Sequence, residues 1–210
     1  MPRKSPSRPS KTSSRRPTAG QADSGELRII GGQWRSRTLT FPAVGGVRPT
    51  PSRVRETLFN WLMPVVPGAR CIDLFAGSGV LGLEALSRGA EQVEFVDHTR
   101  PLTDALSANL KTLRCTDASV KCQDILAYLG QKPAQAADIV MMDPPFRQNW
   151  LSRLLPLIRD NGWVSSDSWV YIEHESELQS VPAPENWQLH REKTAGQVCY
   201  RLYRVMATDA

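Results

Sequence analysis

Along the chain, apolar positions fall into short runs whose period switches between two and about 3.6 residues. Residues 27–30 and 38–41 predict two strands around Gly31-Gly32, a hairpin signal. Next, RPTPSRVRETLFNWL predicts a helix with Thr50 as N-cap and Pro51 at its first position. Val54, Leu58, Trp61, Leu62 and Val65 recur there at helical spacing, which leaves Arg53 and Arg55 on other faces. Strand patterns follow at 70–74, 92–97, 120–122, 137–143 and 169–173, with helical patterns between them at 79–88, 101–113, 125–129 and 150–159. Segments 187–192 and 199–205 flank Thr-Ala-Gly-Gln and read as a closing hairpin. Repeated strand–helix units predict an α/β fold with a mostly parallel seven-stranded sheet and helices on both faces. The final hairpin adds an antiparallel edge strand.

Composition divides this pattern into parts. Residues 1–24 are rich in Ser, Pro and basic side chains and nearly without apolar ones, so a disordered basic tail is expected. It reads as a solubilising segment, as a phosphate-seeking arm or, last in rank, as a transit peptide lacking an apolar face. Residues 25–48 then form a hairpin extension and 49–210 a catalytic-size domain. The net charge of +5 hides an asymmetry: twelve basic and two acidic residues lie before position 56, fourteen and nineteen from it onward. A basic front joined to an acidic body suggests a nucleic-acid partner. No run approaches the ~18 apolar residues of a membrane span, and no apolar h-region follows the basic start. Cys71, Cys115, Cys122 and Cys199 form no CxxC pair, so free thiols in the cytoplasm are expected, with no zinc or other metal site.

Two motifs carry chemistry. In DLFAGSGVLG, Gly77, Gly79 and Gly82 fit GxGxxG at a strand-to-helix turn, and Asp97 ends the next strand. Nicotinamide, flavin and S-adenosylmethionine sites share this pattern, as does tight strand–helix packing. Asp73, ahead of the glycines, separates them: it would repel a pyrophosphate and attract a ligand with an ammonium and a sulfonium. S-adenosylmethionine is such a ligand. The second motif, Asp143-Pro144-Pro145-Phe146, follows an apolar strand at the sheet end where α/β folds bind ligands. The Asp143 carboxylate and the Pro144 carbonyl can accept both hydrogens of an exocyclic amine and turn its lone pair toward a donor methyl. Pro145 stiffens the loop, and Phe146 offers a stacking face for an extracted base. In-line displacement of this kind gains mainly from proximity, worth ~7–11 kcal/mol.

Together GGQWRSRTLTFP, RPTPSRVRETLFNWL, DLFAGSGVLGLEALSRGA and MMDPPF closely resemble one family, the bacterial 16S ribosomal RNA (guanine(966)-N(2))-methyltransferases of the RsmD type. The resemblance spans roughly residues 27–205. It implies a Rossmann-like class I methyltransferase acting on N2 of one guanine within an assembled or assembling small subunit, with nothing demanding more than a monomer. It also implies that Asp73, Phe75, Gly77 and Gly79 line the methionine side of S-adenosylmethionine. Asp97 would take the ribose hydroxyls, although the family commonly has Glu there, with His98 at the adenosine. Asp124 and Ile125 would meet the adenine, and Thr50 and Arg53 the cofactor's carboxylate. Arg28, Trp34, Arg35, Arg37, Arg48 and Arg55 are the expected RNA contacts. Adenine-N6 methylation and a non-catalytic RNA-binding assembly factor are the alternatives. His174 and His190 read as structural, and the alternate Glu173, Glu175 and Glu177 as a solvated face. Trp61, Trp150, Trp163 and Trp169 read as packing.

Overall fold

The computed structural model describes residues 24–44 and 48–207. The expected tail therefore lies outside the described residues, except for Ser24, which opens the first strand. The antiparallel hairpin β1 (Ser24–Arg28) and β2 (Thr38–Pro42) forms its own two-stranded sheet. After α1 (Ser52–Trp61) come β3 (Arg70–Leu74), α2 (Val80–Ser87), β4 (Gln92–Asp97), α3 (Arg100–Thr112), β5 (Ala118–Cys122), α4 (Ile125–Leu129), β6 (Ala137–Met142), α5 (Leu151–Asp160), β7 (Val164–Glu175), β8 (Trp187–Ala195) and β9 (Val198–Val205). The last seven strands form one sheet in the order β5-β4-β3-β6-β7-β9-β8. Every pairing from β5 to β7 is parallel, and the closing hairpin supplies the antiparallel end. The strand that runs against the others is β9, held between β7 and the edge strand β8.

Alternation along the strands sends side chains to two cores. Cys71, Phe95, Met141, Tyr171 and Leu202 face the first, under α1, α2, α3 and the hairpin. Leu74, Val96, Met142 and Ile172 face the second, under α4 and α5. Leu27, Ile29, Leu39 and Phe41 of the hairpin region join the first core, so the extension is packed onto the body. Asn109 of α3 adds a side-chain hydrogen bond of 2.9 Å to the Thr40 carbonyl. α2 is buried on all sides, which explains its mostly apolar sequence and isolates its single acid, Glu84.

Two buried acids, Glu84 and Glu173, explain two departures from the sequence reading. Arg55, expected on the RNA surface, is buried and pairs with Glu84 at 2.6 Å. Its guanidinium also donates to the carbonyls of Thr50 and Arg28 and to the Ser52 hydroxyl, which keeps its hydrogen bonding inside the fold. Glu84 accepts in addition from the Ile30 amide at 2.7 Å, so the network ties hairpin, α1 and α2 together. Thr50 is not the N-cap. Pro51 occupies that position without a side-chain bond, and the Thr50 hydroxyl turns away to Glu173.

The connection between β1 and β2 docks on the end of α2. Gln33 N donates to the Ser87 carbonyl and Trp34 N to the Ser87 hydroxyl. Gly32 has φ +72°, and a Cβ there would fall 1.7 Å from the Ser87 carbonyl oxygen. Glycine is required on both counts, because side chains rarely adopt that conformation and backbone cannot yield. Trp34 is half-buried against the first core, which makes it an anchor for this loop, whereas Arg35 and Arg37 are exposed.

Candidate active site

The parallel sheet reverses direction of growth at β3: β4 and β5 lie to one side, β6 and β7 to the other. At such a switch point the loops leaving the strand ends diverge and open a crevice. Four acids stand at or just beyond those ends, namely Asp73 on β3, Asp97 on β4, Asp143 after β6 and Glu173 on β7. By strand alternation all four share the face of the first core.

The turn after β3 is built tightly. Phe75 has φ +58° and Gly77 φ +53°, and Gly79 caps α2 in the left-handed region at φ +76°. A Cβ on Gly79 would meet Leu106 at 2.5 Å, so the turn must stay bare. Gly82 serves packing, since its Cβ would strike the Phe95 ring at 2.2 Å. Two carboxylates hold the turn in shape. Asp73 Oδ2 accepts from Gly82 N, and Asp97 Oδ2 from Gly77 N, both at 2.9 Å, while Asp97 Oδ1 accepts from Thr99 N. His98 beside it is exposed.

Beyond β6, Asp143 is half-buried, Pro144 buried, Pro145 exposed and Phe146 half-buried. Arg147 and Asn149 take positive φ, so the loop bends sharply after the motif. Trp150 then packs edge-on against Phe75 with ring centres 5.1 Å apart, joining the two motif loops. Glu173, expected on a solvated face, is 2 % exposed. Its Oε1 accepts from the Thr50 hydroxyl at 2.9 Å and from the Tyr171 hydroxyl at 3.0 Å. A signal for it was present in WVYIEHE, where Glu173 directly continues an apolar run and shares the face of Tyr171. Asp124 is exposed and caps α4 through Ala127 N at 2.9 Å, while the Ile125 side chain is buried in the second core. Arg28, Arg35, Arg37, Arg48 and Arg53 are exposed. His174 is buried with Nδ1 2.8 Å from the Glu175 carbonyl, and His190 stacks edge-on against Trp169.

Burial raises Asp73, Glu173 and Asp143, and repulsion adds to it at Asp73 and Glu173. Burial first, with Asp97 and Asp143 nearby, pushes Asp73 up to about 8, against the Gly82 hydrogen bond. Glu173 is likewise raised to about 8, by burial and then Asp143, and Asp143 to about 6 by burial. A carboxylate raised in the folded state binds protons that the unfolded chain releases. Its stabilising contribution is full below the ordinary carboxylate range and disappears as pH rises through the folded value. The ligand-free protein should therefore lose melting temperature between pH 5 and pH 8.5, and Asp73→Asn should flatten that slope. Calorimetry across this range checks it, and a slope unchanged by the substitution would contradict the assignment.

A crevice that gathers four acids and leaves several acceptor oxygens unbonded favours a cationic occupant rich in hydrogen-bond donors. Asp143 carries no hydrogen bond among the described residues, and only one oxygen of Asp73 is engaged.

Several known proteins are similar to this chain. The model of the family described as "Conserved hypothetical protein 95" matches residues 27–204. The chain is 50 % identical to ribosomal RNA small subunit methyltransferase D of Escherichia coli, over 86 % of this chain and 91 % of that one. Identity to the protein of the same name in Haemophilus influenzae is 45 %, over 86 % and 94 % of the two chains. The solved structure of yhhF from Escherichia coli superposes with a TM-score of 0.82 at 49 % identity, covering 88 % of this chain and all of that one.

Proposed function

As the chain belongs to the family described as Conserved hypothetical protein 95, together with ribosomal RNA small subunit methyltransferase D, we propose that it methylates the exocyclic N2 amine of one guanine in 16S ribosomal RNA, with S-adenosylmethionine as donor. The observation that carries this reading is the row of acids at the switch point, with the DPPF motif directly beyond β6. A phosphate-bearing cofactor would meet like charge there. S-adenosylmethionine carries an ammonium and a sulfonium and no phosphate, so its charge complements the row. When bound, it supplies an electrophilic methyl group on positive sulfur.

The chain's own residues do the rest. Asp73, Phe75, Gly77 and Gly79 would hold the methionine part, Asp97 and His98 the ribose and adenosine. The exposed Asp124 and the backbone at Ile125 would border the adenine, and Arg53 would meet the carboxylate. Asp143 and the Pro144 carbonyl accept the two amine hydrogens, and Phe146 stacks on the extracted base. Asp143, at about 6, ionises near neutral pH and can take the proton that N2 gives up. The substrate is an assembled or assembling small subunit, met by a monomer in the cytoplasm. Among the described residues, no helix is long and apolar enough to cross a membrane.

The test is methyl transfer from labelled S-adenosylmethionine to small subunits from a strain lacking this gene, followed by mapping of the modified nucleotide. Absence of transfer would sink the proposal. In the same assay Arg35→Ala with Arg37→Ala should weaken subunit binding without moving the methylated position. The salt slope should fall by about one for each phosphate that an arginine had neutralised. An unchanged slope would remove these arginines from the RNA surface.

A further inference from the structure

We infer that Glu173 is the residue by which this site selects guanine over adenine, holding the N1–H of the target base while Asp143 holds its N2 amine. The inference rests on the proposed function and names the specificity determinant of that same site. β6 and β7 run parallel with Met142 opposite Ile172, so Asp143 and Glu173 follow as the next neighbours. Adjacent strands lie about 4.8 Å apart, and alternation puts both side chains on one face.

Glu173 is fixed for such a task. Two hydroxyls, from Thr50 on the approach to α1 and from Tyr171 on its own strand, donate to Oε1 and set the plane of the carboxylate. Oε2 has no hydrogen-bond partner among the described residues. It is also not among the fully enclosed unpartnered atoms, which are Tyr128 Oη, His174 Nε2 and Trp187 Nε1. A nearly buried acid thus keeps one oxygen free and unsealed beside Asp143. Asp143 and Asp73, on the same face, act on it by repulsion.

Guanine presents two adjacent donors on its Watson–Crick edge, N1–H and the N2 amine. Adenine pairs its N6 amine with N1, an acceptor. Two side-by-side carboxylates match the first edge and set oxygen against a lone pair on the second. Polar sites of this kind discriminate strongly, because the wrong base leaves a buried acceptor unpaired. Guanine's hydrogens and the positive charge of the methyl donor both favour the ionised form of Glu173 that the contact needs. In the reaction the N2 lone pair forms the bond to the methyl carbon and the carbon–sulfur pair returns to sulfur. The N2 proton passes to Asp143, and Glu173 keeps its hold on N1–H throughout. DPPF alone suits either amine; Glu173 decides between them.

The experiment uses the full chain, S-adenosylmethionine and two sets of small subunits, one with the native guanine and one with adenine substituted at the mapped position. Wild type should methylate only the first. Glu173→Gln keeps the shape and offers adenine N1 an amide hydrogen. It should cut kcat/KM on guanine by on the order of 10–100-fold and raise the adenine-to-guanine ratio by a similar factor, with cofactor affinity held within about twofold. A ratio unchanged at any absolute rate would mean that Glu173 is merely structural, and the inference falls. Should Glu173→Gln fail to fold, Tyr171→Phe loosens the same carboxylate and must move the ratio in the same direction. A wild type that modifies neither substrate overturns the proposed function and this inference with it, whereas an active wild type with an unmoved ratio overturns the inference alone.

Discussion

Asp143→Ala is expected to lower kcat by on the order of 1,000-fold while leaving subunit affinity nearly unchanged. The side chain stands half-buried at the end of β6, with no hydrogen bond to any described residue. Its removal therefore breaks no internal network. What disappears is an acceptor for the amine hydrogen and for the proton released as the methyl arrives. General-base assistance is worth about 100–10,000-fold, and correct orientation of the attacking lone pair belongs to the same contact. No phosphate contact is touched, so the salt dependence of binding should remain that of the parent. Loss of an acid from a repelling cluster should also leave the melting temperature equal or higher. Single-turnover kinetics with subunits in excess separates the chemical step from binding, and turnover like that of the parent would remove Asp143 from its role.

The second large effect concerns stability. Arg55→Ala is expected to cost about 3–5 kcal/mol, because it strands Glu84 as a buried charge. Glu84 is fully buried and would keep only the longer contact to Arg88 at 3.3 Å and the Ile30 amide. The carbonyls of Arg28 and Thr50 would lose their donors as well. At roughly 2–4 °C per kcal/mol for a chain of this size, melting should fall by about 10 °C. Arg55→Met with Glu84→Gln should cost less than Arg55→Ala alone, because no charge is then left unpaired. A salt slope unchanged from the parent would separate this arginine from Arg35 and Arg37. If Arg55→Ala melted with the parent, the network would not be the clamp between hairpin and body that its geometry describes.

Much of this molecule is local in origin, and the chain alone determined it. A period switching between two and 3.6 residues reflects which side chains face a core, so the order of strands and helices followed from the pattern. The two motifs were equally legible, because each needs consecutive residues: glycines where the turn takes positive φ, and DPPF where a strand runs out. Asp73, Asp97 and Asp143 could be singled out for the same reason, each lying at a strand end marked by its neighbours. The fold reading and the family resemblance rested on these segments.

Pairings between residues far apart along the chain were decided by the tertiary structure alone. Arg55 and Glu84 are separated by 29 positions and Thr50 and Glu173 by 123, and nothing local distinguishes a buried arginine from an exposed one on the same helix. Strand order is of the same kind, since the closing hairpin announces antiparallel pairing without saying that β9 enters beside β7 and leaves β8 at the edge. Burial is a property of the assembled sheet. It turned Glu173 from one of three alternate glutamates into a fixed acceptor beside Asp143, because the face it shares with Asp73 exists only once β3, β6 and β7 are laid side by side.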